Sequence, residues 1–496
     1  MNNIYSLIDR LIEISIDNGM IYPIDEIYTR NRISALLKLD NYEDTKINLQ
    51  YNLHETLNAM LDYSVSVGLI EDYLYEKDIL SSKIMNVFLN NPSVINEEFY
   101  KKYASSPKEA TDYFYNLSKN SNYIRTDRIQ KNISYKTLTK YGNLDITINL
   151  SKPEKEPKEI AKQLTKEKSK SSFKYPKCPL CKENEGYEGR IDHADRSNHR
   201  MIEINTNNKD WYLQYSPYSY YNEHCIVISA KHNPMKISKD TFKNLLSFVE
   251  KFPHYFLGSN ADIPIVGGSI LSHEHYQGGS YEFPMEKAQD EYTFNLPKYS
   301  TLNFSILNWP LSTIRIRGKK TEDIVDATNY IFNSWKVYAD KKRQILPLTK
   351  GENHNTITPI ARYKKGFYEM DVVLRNNRTS KEHPLGIFHP HADVQHIKKE
   401  NIGLIEVMGL AVLPGRLLNE LEEIKDFILN KTNSVKEYHL TFAEDLKKRY
   451  NNEKSLDLFI KDEVGSKFAR VLEDAGVFKR TDHGIEGFKK FISTLK

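Results

Sequence analysis

Cysteine is scarce in this chain: three residues among 496, two of them in Cys178-Pro-Leu-Cys181 and the third at Cys225. Three thiols cannot build a disulfide framework, so the expectation is a reducing compartment with the close pair free for a metal. Net charge is nearly absent as well. The balance of 70 Lys and Arg against 66 Asp and Glu gives +4, too little for this length to argue nucleic-acid or membrane binding, though compatible with small anionic substrates. Neither a long apolar run nor a signal-peptide pattern follows Met1-Asn-Asn-Ile-Tyr5, and a soluble cytoplasmic protein is expected. No Ser-His-Asp or paired-carboxylate arrangement is recognisable. What remains is a globular composition, 27% charged and 39% hydrophobic, in a chain too long for one ordinary core, so two or three domains are expected.

Against that background one stretch stands out, from Asp262 to Gly279. His273, His275 and Gln277 alternate, which on an extended strand turns all three side chains to one face. Upstream, Gly267 and Gly268 can adopt backbone angles closed to other residues, and with Ser269 they are expected to turn N–H groups inward as an anion-binding concavity. An imidazole is a nucleophile at neutral pH without a separate base, so a histidine facing a phosphate nest suggests a covalent phosphoryl-type intermediate. A buried strand whose histidines satisfy backbone groups or bind a structural metal is the plainer alternative.

Along the chain, Ile4, Leu7, Ile8, Leu11 and Ile12, then Leu57, Met60, Leu61 and Val65, recur at helical spacing. Leu144, Ile146, Ile148 and Leu150 alternate with polar residues as in a half-buried strand. The segment from Lys152 to Lys177 carries nine lysines against four glutamates and reads as a solvated helix and linker. Strands are expected over Asn303–Asn308, Ser312–Arg317, His354–Arg362 and Tyr368–Leu374, with a helix over Thr321–Asp340. A second His-x-His, His389 and His391, reads as a faint internal repeat of the first, diverged because Gln395 stands four residues past His391. The tail from Leu417 reads as helical.

The run His273-x-His275-x-Gln277 resembles the signature of the histidine-triad superfamily in its nucleotidyltransferase branch, and Ala261–Gly279 resembles the bacterial galactose-1-phosphate uridylyltransferases. Further blocks share the resemblance: Asn122–Arg128, Ile146–Pro153, His354–Pro359, Leu374–Ser380 and Gly386–His391. It implies an α+β fold of two tandem histidine-triad-like antiparallel halves. The implied division is an N-terminal helical region over 1–115, a first half over 116–300, a second over 301–425 and a C-terminal helical region over 426–496. It also implies a structural zinc on Cys178, Cys181, His232 and His273, with His224 as the substitute for His232, and no organic cofactor. Arg125, Arg128, Ser216, Lys152 and Lys155 carry over as substrate contacts, the tyrosine-rich loop Tyr215–Tyr221 as the uridine-contacting segment, and Asn401 and Glu406 as partners of sugar hydroxyls. His389 and His391 are secondary candidates.

The implied reaction moves uridylyl from UDP-glucose to galactose 1-phosphate by a ping-pong exchange of the Leloir pathway, through a uridylyl group on His275 that Gln277 steadies. A third histidine where Gln277 stands would argue for hydrolysis instead. Two alternatives stay open: a dinucleoside-polyphosphate phosphorylase-like enzyme, and a non-catalytic zinc-stabilised nucleotide-sugar binding protein. The expected partners are UDP-glucose, UDP-galactose and hexose 1-phosphates, without nucleic acid or membrane, and a homodimer is the assembly kept in view.

Overall fold

In the computed structural model, residues 3–44, 50–151, 175–268 and 270–496 are described. The chain opens on helices Ile4–Asp17, Glu26–Leu36, Leu53–Ser66 and Leu74–Asn86. Their apolar stripes, among them Leu7, Ile8, Leu11, Leu57, Met60 and Ile84, close a small core that ends at Phe88. Helices Pro92–Ser105 and Pro107–Asn120 carry Phe99 and Phe114 into the main core instead.

That core lies under one ten-stranded sheet. Its strands are β3 (Ile202–Thr206), β4 (Lys209–Tyr215), β5 (Cys225–Ser229), β6 (Phe256–Gly258), β7 (His275–Gly279), β8 (Asp290–Phe294), β9 (Asn303–Leu307), β10 (Thr313–Gly318), β13 (Asn355–Lys364) and β14 (Phe367–Asn376). The spatial order is β3-β4-β5-β7-β6-β13-β14-β10-β9-β8, and every neighbouring pair is antiparallel. Read from either outer edge inward, the strands follow the same succession: three in chain order, then the fifth, then the fourth. Two tandem halves of one topology thus meet edge to edge at β6 and β13, where Gly258 pairs with Ile360. Helix Lys239–Lys251 in the first half and helix Thr321–Val337 in the second occupy the same place, between the third and fourth strands.

The internal repeat is therefore real, but His389 and His391 are not its counterpart of His273 and His275. The strand equivalent to β7 is β14, which ends at Asn376; the second His-x-His falls in the connection beyond it. Sequence spacing pointed to the wrong segment because a two-residue alternation recurs without regard to topology.

The two faces of the sheet differ in chemistry. Leu213, Val227, Leu257, Tyr276, Ile314, Ala361, Met370 and Val372 form the apolar face against the helices. Pairing carries the other face through Gln277, Gly258, Ile360, Asp371 and Arg315 in one row, so His275 and Gln277 share it with the charged residues of the second half. There Arg315 grips Asp371 at 2.6 and 2.8 Å, Arg362 reaches Asp371 at 2.6 Å and Glu369 at 3.1 Å, and Arg317 meets Glu369 at 2.8 Å. A small second sheet, β1 (Ile133–Thr139), β2 (Gly142–Asn149) and β15 (Leu410–Pro414), packs on this side. β11 (Leu348–Thr349) and β12 (Glu352–Asn353) form a separate ribbon.

β2 departs from the half-buried strand expected. Leu144 through Ile148 are all buried, because β15 pairs with it in parallel and its polar residues are satisfied inside: Asp145 by Lys136 and Tyr281, Thr147 by Ser134. The C-terminal helices Leu417–Ile428, Leu440–Arg449, Leu456–Ala475 and Asp482–Ser493 complete the fold, with Phe468, Val471 and Leu472 buried as expected. The lysine-rich segment lies, from 152 to 174, outside the described residues.

Asp371 tests the second half's charged network. Burial alone would raise its carboxyl, but Arg315 and Arg362 hold it at about 2. Against an unfolded value of about 3.9, this depressed carboxylate stabilises the fold above about pH 4, and the contribution is lost as pH falls toward 2. Asp371→Asn leaves the buried Arg315 without its carboxylate partner and Arg362 with Glu369, and should cost about 3–5 kcal/mol in urea unfolding at pH 7.

Candidate active site and metal centre

β7 begins at His275, and the bond that orients this ring comes from two residues back. Nδ1 lies 2.8 Å from the carbonyl oxygen of His273; a carbonyl only accepts, so Nδ1 carries the proton and Nε2 keeps its lone pair. Burial lowers the ring's ionisation below 6.5, opposed by the His273 carbonyl. The neutral, nucleophilic form is thus the resting form at pH 7.

His273 is fixed in turn. Its Nε2 donates to the carbonyl of Ser229 at 2.9 Å, which leaves Nδ1 as the ligand nitrogen. That atom stands 3.3 Å from Sγ of Cys178 and 3.7 Å from Sγ of Cys181; the two sulfurs are 3.5 Å apart, and Nδ1 of His232 is 3.0 Å from Cys181. All four donor atoms lie within 4.8 Å of one another. Tetrahedral zinc with sulfur and nitrogen ligands sets its corners roughly 3.3–3.8 Å apart; three of the separations given fall in that range, that of His232 from Cys181 being shorter, and two thiols with two ring nitrogens are a donor set such an ion takes. Without one, burial and the neighbouring Cys178 push the Cys181 thiol up to about 12; a cation reverses that balance by taking the thiolate. His224, the substitute ligand, is not in this cluster.

Beside the cluster opens a cavity of about 610 Å³, within the range of small-molecule sites. His275, Gln277, Gly267 and Gly268 line one wall, and Asn401 and Glu406 another, on the segment 398–412 that leads into β15. Six residues singled out in the sequence therefore meet in one space. The glycines are there for a different reason from the one expected: the left-handed residue of the loop is Ile265, at φ 73°. A Cβ on Gly267 would lie 2.5 Å from the Ala261 carbonyl, and one on Gly268 2.8 Å from the Asn260 amide. Glycine is needed for close approach rather than for left-handed backbone. Ser269, Lys152 and Lys155 lie outside the described residues.

Arg125, Arg128 and Ser216 do not line this cavity. Arg125 pairs with Asp195 at 2.8 Å and Arg128 with Asp78 at 3.1 Å, while the Ser216 hydroxyl turns to the Tyr218 carbonyl. Of the tyrosine loop, Tyr220 reaches the cavity. His389 is buried, and His391 bonds the Ile387 carbonyl and faces Asp474. Two lining residues, Asn260 and Lys398, carry no sequence signal, and a third, His224, reads only as a spare metal ligand. Asn260 accepts the Leu404 N–H at 2.8 Å, Lys398 pairs with Glu406 at 3.0 Å and donates to the Val412 carbonyl, and His224 stands 3.2 Å from Gln277. Each is recognisable only by its neighbour in space.

A ring nitrogen that keeps its lone pair, a carboxamide beside it and a four-donor cluster next to them thus border one cavity, on a sheet built of two halves with the same strand succession. Comparison with known proteins gives the family. Residues 19–234 match the galactose-1-phosphate uridyl transferase N-terminal domain and residues 248–444 its C-terminal domain. The chain belongs to the galactose-1-phosphate uridyl transferase family and is a transferase. The galactose-1-phosphate uridylyltransferase of Clostridium perfringens (strain 13 / Type A) is 57% identical over 500 residues, covering 100% of both chains. That of Clostridium acetobutylicum is 50% identical over 496 residues, covering 98% of this chain and 99% of its own. Among solved structures, yeast Ap4A phosphorylase aligns at TM-score 0.33 and 12% identity, over 70% of this chain and 98% of its own. Among the described residues no helix is long and apolar enough to cross a membrane.

Cobalt titration of the metal-free protein should produce the visible absorption of tetrahedral Co²⁺ with thiolate charge transfer. Cys178→Ser should weaken both bands, and an octahedral spectrum would refute the four-donor centre.

Proposed function

We propose that the chain transfers uridylyl from UDP-glucose to galactose 1-phosphate, giving glucose 1-phosphate and UDP-galactose, with the uridylyl group held in transit on Nε2 of His275. The observation that carries this reading is the bond from Nδ1 of His275 to the His273 carbonyl, which leaves a lone pair on Nε2 of a residue lining the cavity. In the first half-reaction the N–P bond forms as the bond from the α-phosphorus to the bridging oxygen breaks, and the electron pair leaves with glucose 1-phosphate. That leaving group is a phosphate anion and needs no strong general acid, consistent with a cavity whose lining carboxylates, Glu400 and Glu406, both lie within ion-pair distance of Lys398. In the second, a phosphate oxygen of galactose 1-phosphate attacks the same phosphorus and the electron pair returns to Nε2.

Gly267 and Gly268 offer backbone close to the phosphates, Gln277 donates to a non-bridging oxygen, and Asn401 and Glu406 face the sugar hydroxyls. Zinc is the ion proposed for Cys178, Cys181, His232 and His273, in a structural role: bound there, it would tie the Cys178–Cys181 turn to the residue whose carbonyl orients His275. We place the enzyme in the cytoplasm, in galactose metabolism.

Incubation with UDP-glucose alone should add one uridylyl mass to the intact protein, and galactose 1-phosphate should discharge it as UDP-galactose. His275→Gly should form no adduct while still binding UDP-glucose. Because the His275 ionisation lies below 6.5, the rate of adduct formation should be level from pH 7 upward and fall only on the acid side. Discharge by inorganic phosphate in preference to galactose 1-phosphate would overturn the acceptor assignment.

A further inference from the structure

His224 precedes β5 and has its backbone held on both sides: its N–H donates to the Tyr221 carbonyl at 3.3 Å and its carbonyl accepts the Ser216 N–H at 2.8 Å. The ring is 3% exposed, stacks on Tyr221 at 4.4 Å, and lines the cavity. Its Nε2 lies 3.2 Å from Oε1 of Gln277, the one hydrogen bond to that side chain among the described residues. Its Nδ1 is buried and has no partner among them.

These facts fix a proton. Burial holds the ring's ionisation down at about 4, with the Gln277 bond opposing, so the ring is neutral near pH 7 and carries a single N–H. A proton on Nδ1 would bury a donor with nothing to receive it, the costlier kind of orphan. A proton on Nε2 bonds Gln277 and leaves only a lone pair over. Oε1 of Gln277 is therefore the acceptor, and the amide N–H groups of the same carboxamide are turned the other way. Unrestrained, a glutamine amide rotates through a broad two-fold torsion and offers its oxygen as readily as its nitrogen. Offered to a phosphoryl anion, that oxygen repels.

We infer that His224 is a positioning residue for uridylyl transfer: by donating Nε2–H to Oε1 of Gln277 it keeps the carboxamide oxygen away from the phosphoryl group and presents its N–H groups to it. The inference rests on the transfer proposed above and assigns His224 no contact with the reacting atoms.

Adduct formation from UDP-glucose alone, followed by quenched flow and intact mass, separates the two. His224→Leu should slow the step at saturating UDP-glucose on the order of tenfold, the worth of one buried hydrogen bond, with the half-saturating concentration little changed. His224→Gln, whose amide can donate from the place of Nε2, should restore it. Gln277→Leu should also be slow, and adding His224→Leu to it should cost nothing more, since the two act as one unit. Should His224→Leu fail to fold by circular dichroism, His224→Asn, too short to reach Gln277, takes its place with the same expected loss. Wild-type speed in the Leu or Asn variant, or a loss that adds in full to that of Gln277→Leu, overturns the inference. Absence of any adduct on the wild-type enzyme overturns the transfer reading itself, and the inference with it.

Discussion

The carbonyl of His273 accepts the Nδ1 proton of His275 at 2.8 Å, and the ring of the same residue stands between two thiols and the Ser229 carbonyl. One residue thereby ties the four-donor cluster to the His275 ring. A metal ion held there would fix the backbone at His273, and that backbone sets the His275 tautomer. His273 stands just before β7, so that its backbone carbonyl meets the His275 ring while its own ring reaches the thiols.

The rest of the sheet supports that arrangement asymmetrically. Both halves use one strand succession, and both put polar groups on the same face, but they use them differently. In the first half His275 and Gln277 look into a cavity and have few protein partners. In the second, Arg315, Arg362, Glu369 and Asp371 saturate one another and are buried. Such a network resists rearrangement, because breaking one member strands the others. The second half thus serves as a rigid frame, and the chain it sends on, through 398–412 to β15 beside β2, closes the cavity from the far side.

Much of this was legible in the sequence where the signal is local. Alternation at His275 and Gln277 places them on one face of β7, whereas His273, expected with them, stands before the strand and turns its ring to Cys178 and Cys181; strands at Asn303, Thr313, Asn355 and Phe367 lie where the pattern predicts, and Cys178 with Cys181 reads as half of a metal cluster. What escaped is what depends on spatial neighbours. Gly267 and Gly268 are glycines because Ala261 and Asn260 crowd them, which spacing does not encode. His224 reads as a spare ligand until Gln277 is found beside it, and Lys398 carries no signal until Glu406 and Val412 are found around it. His389 and His391 misled for the converse reason: their pattern matches, but they lie past the end of the corresponding strand.

The central claim is that Nε2 of His275, and not Nδ1, bears the transferred group. Its most direct test is the nitrogen–phosphorus coupling of the adduct formed with UDP-glucose on protein carrying ¹⁵N-labelled histidine. Coupling from phosphorus to Nε2, with Nδ1 still protonated against the His273 carbonyl, is the predicted result. Phosphorus on Nδ1 would contradict it, because that nitrogen could react only after releasing the bond on which the geometry of the site depends.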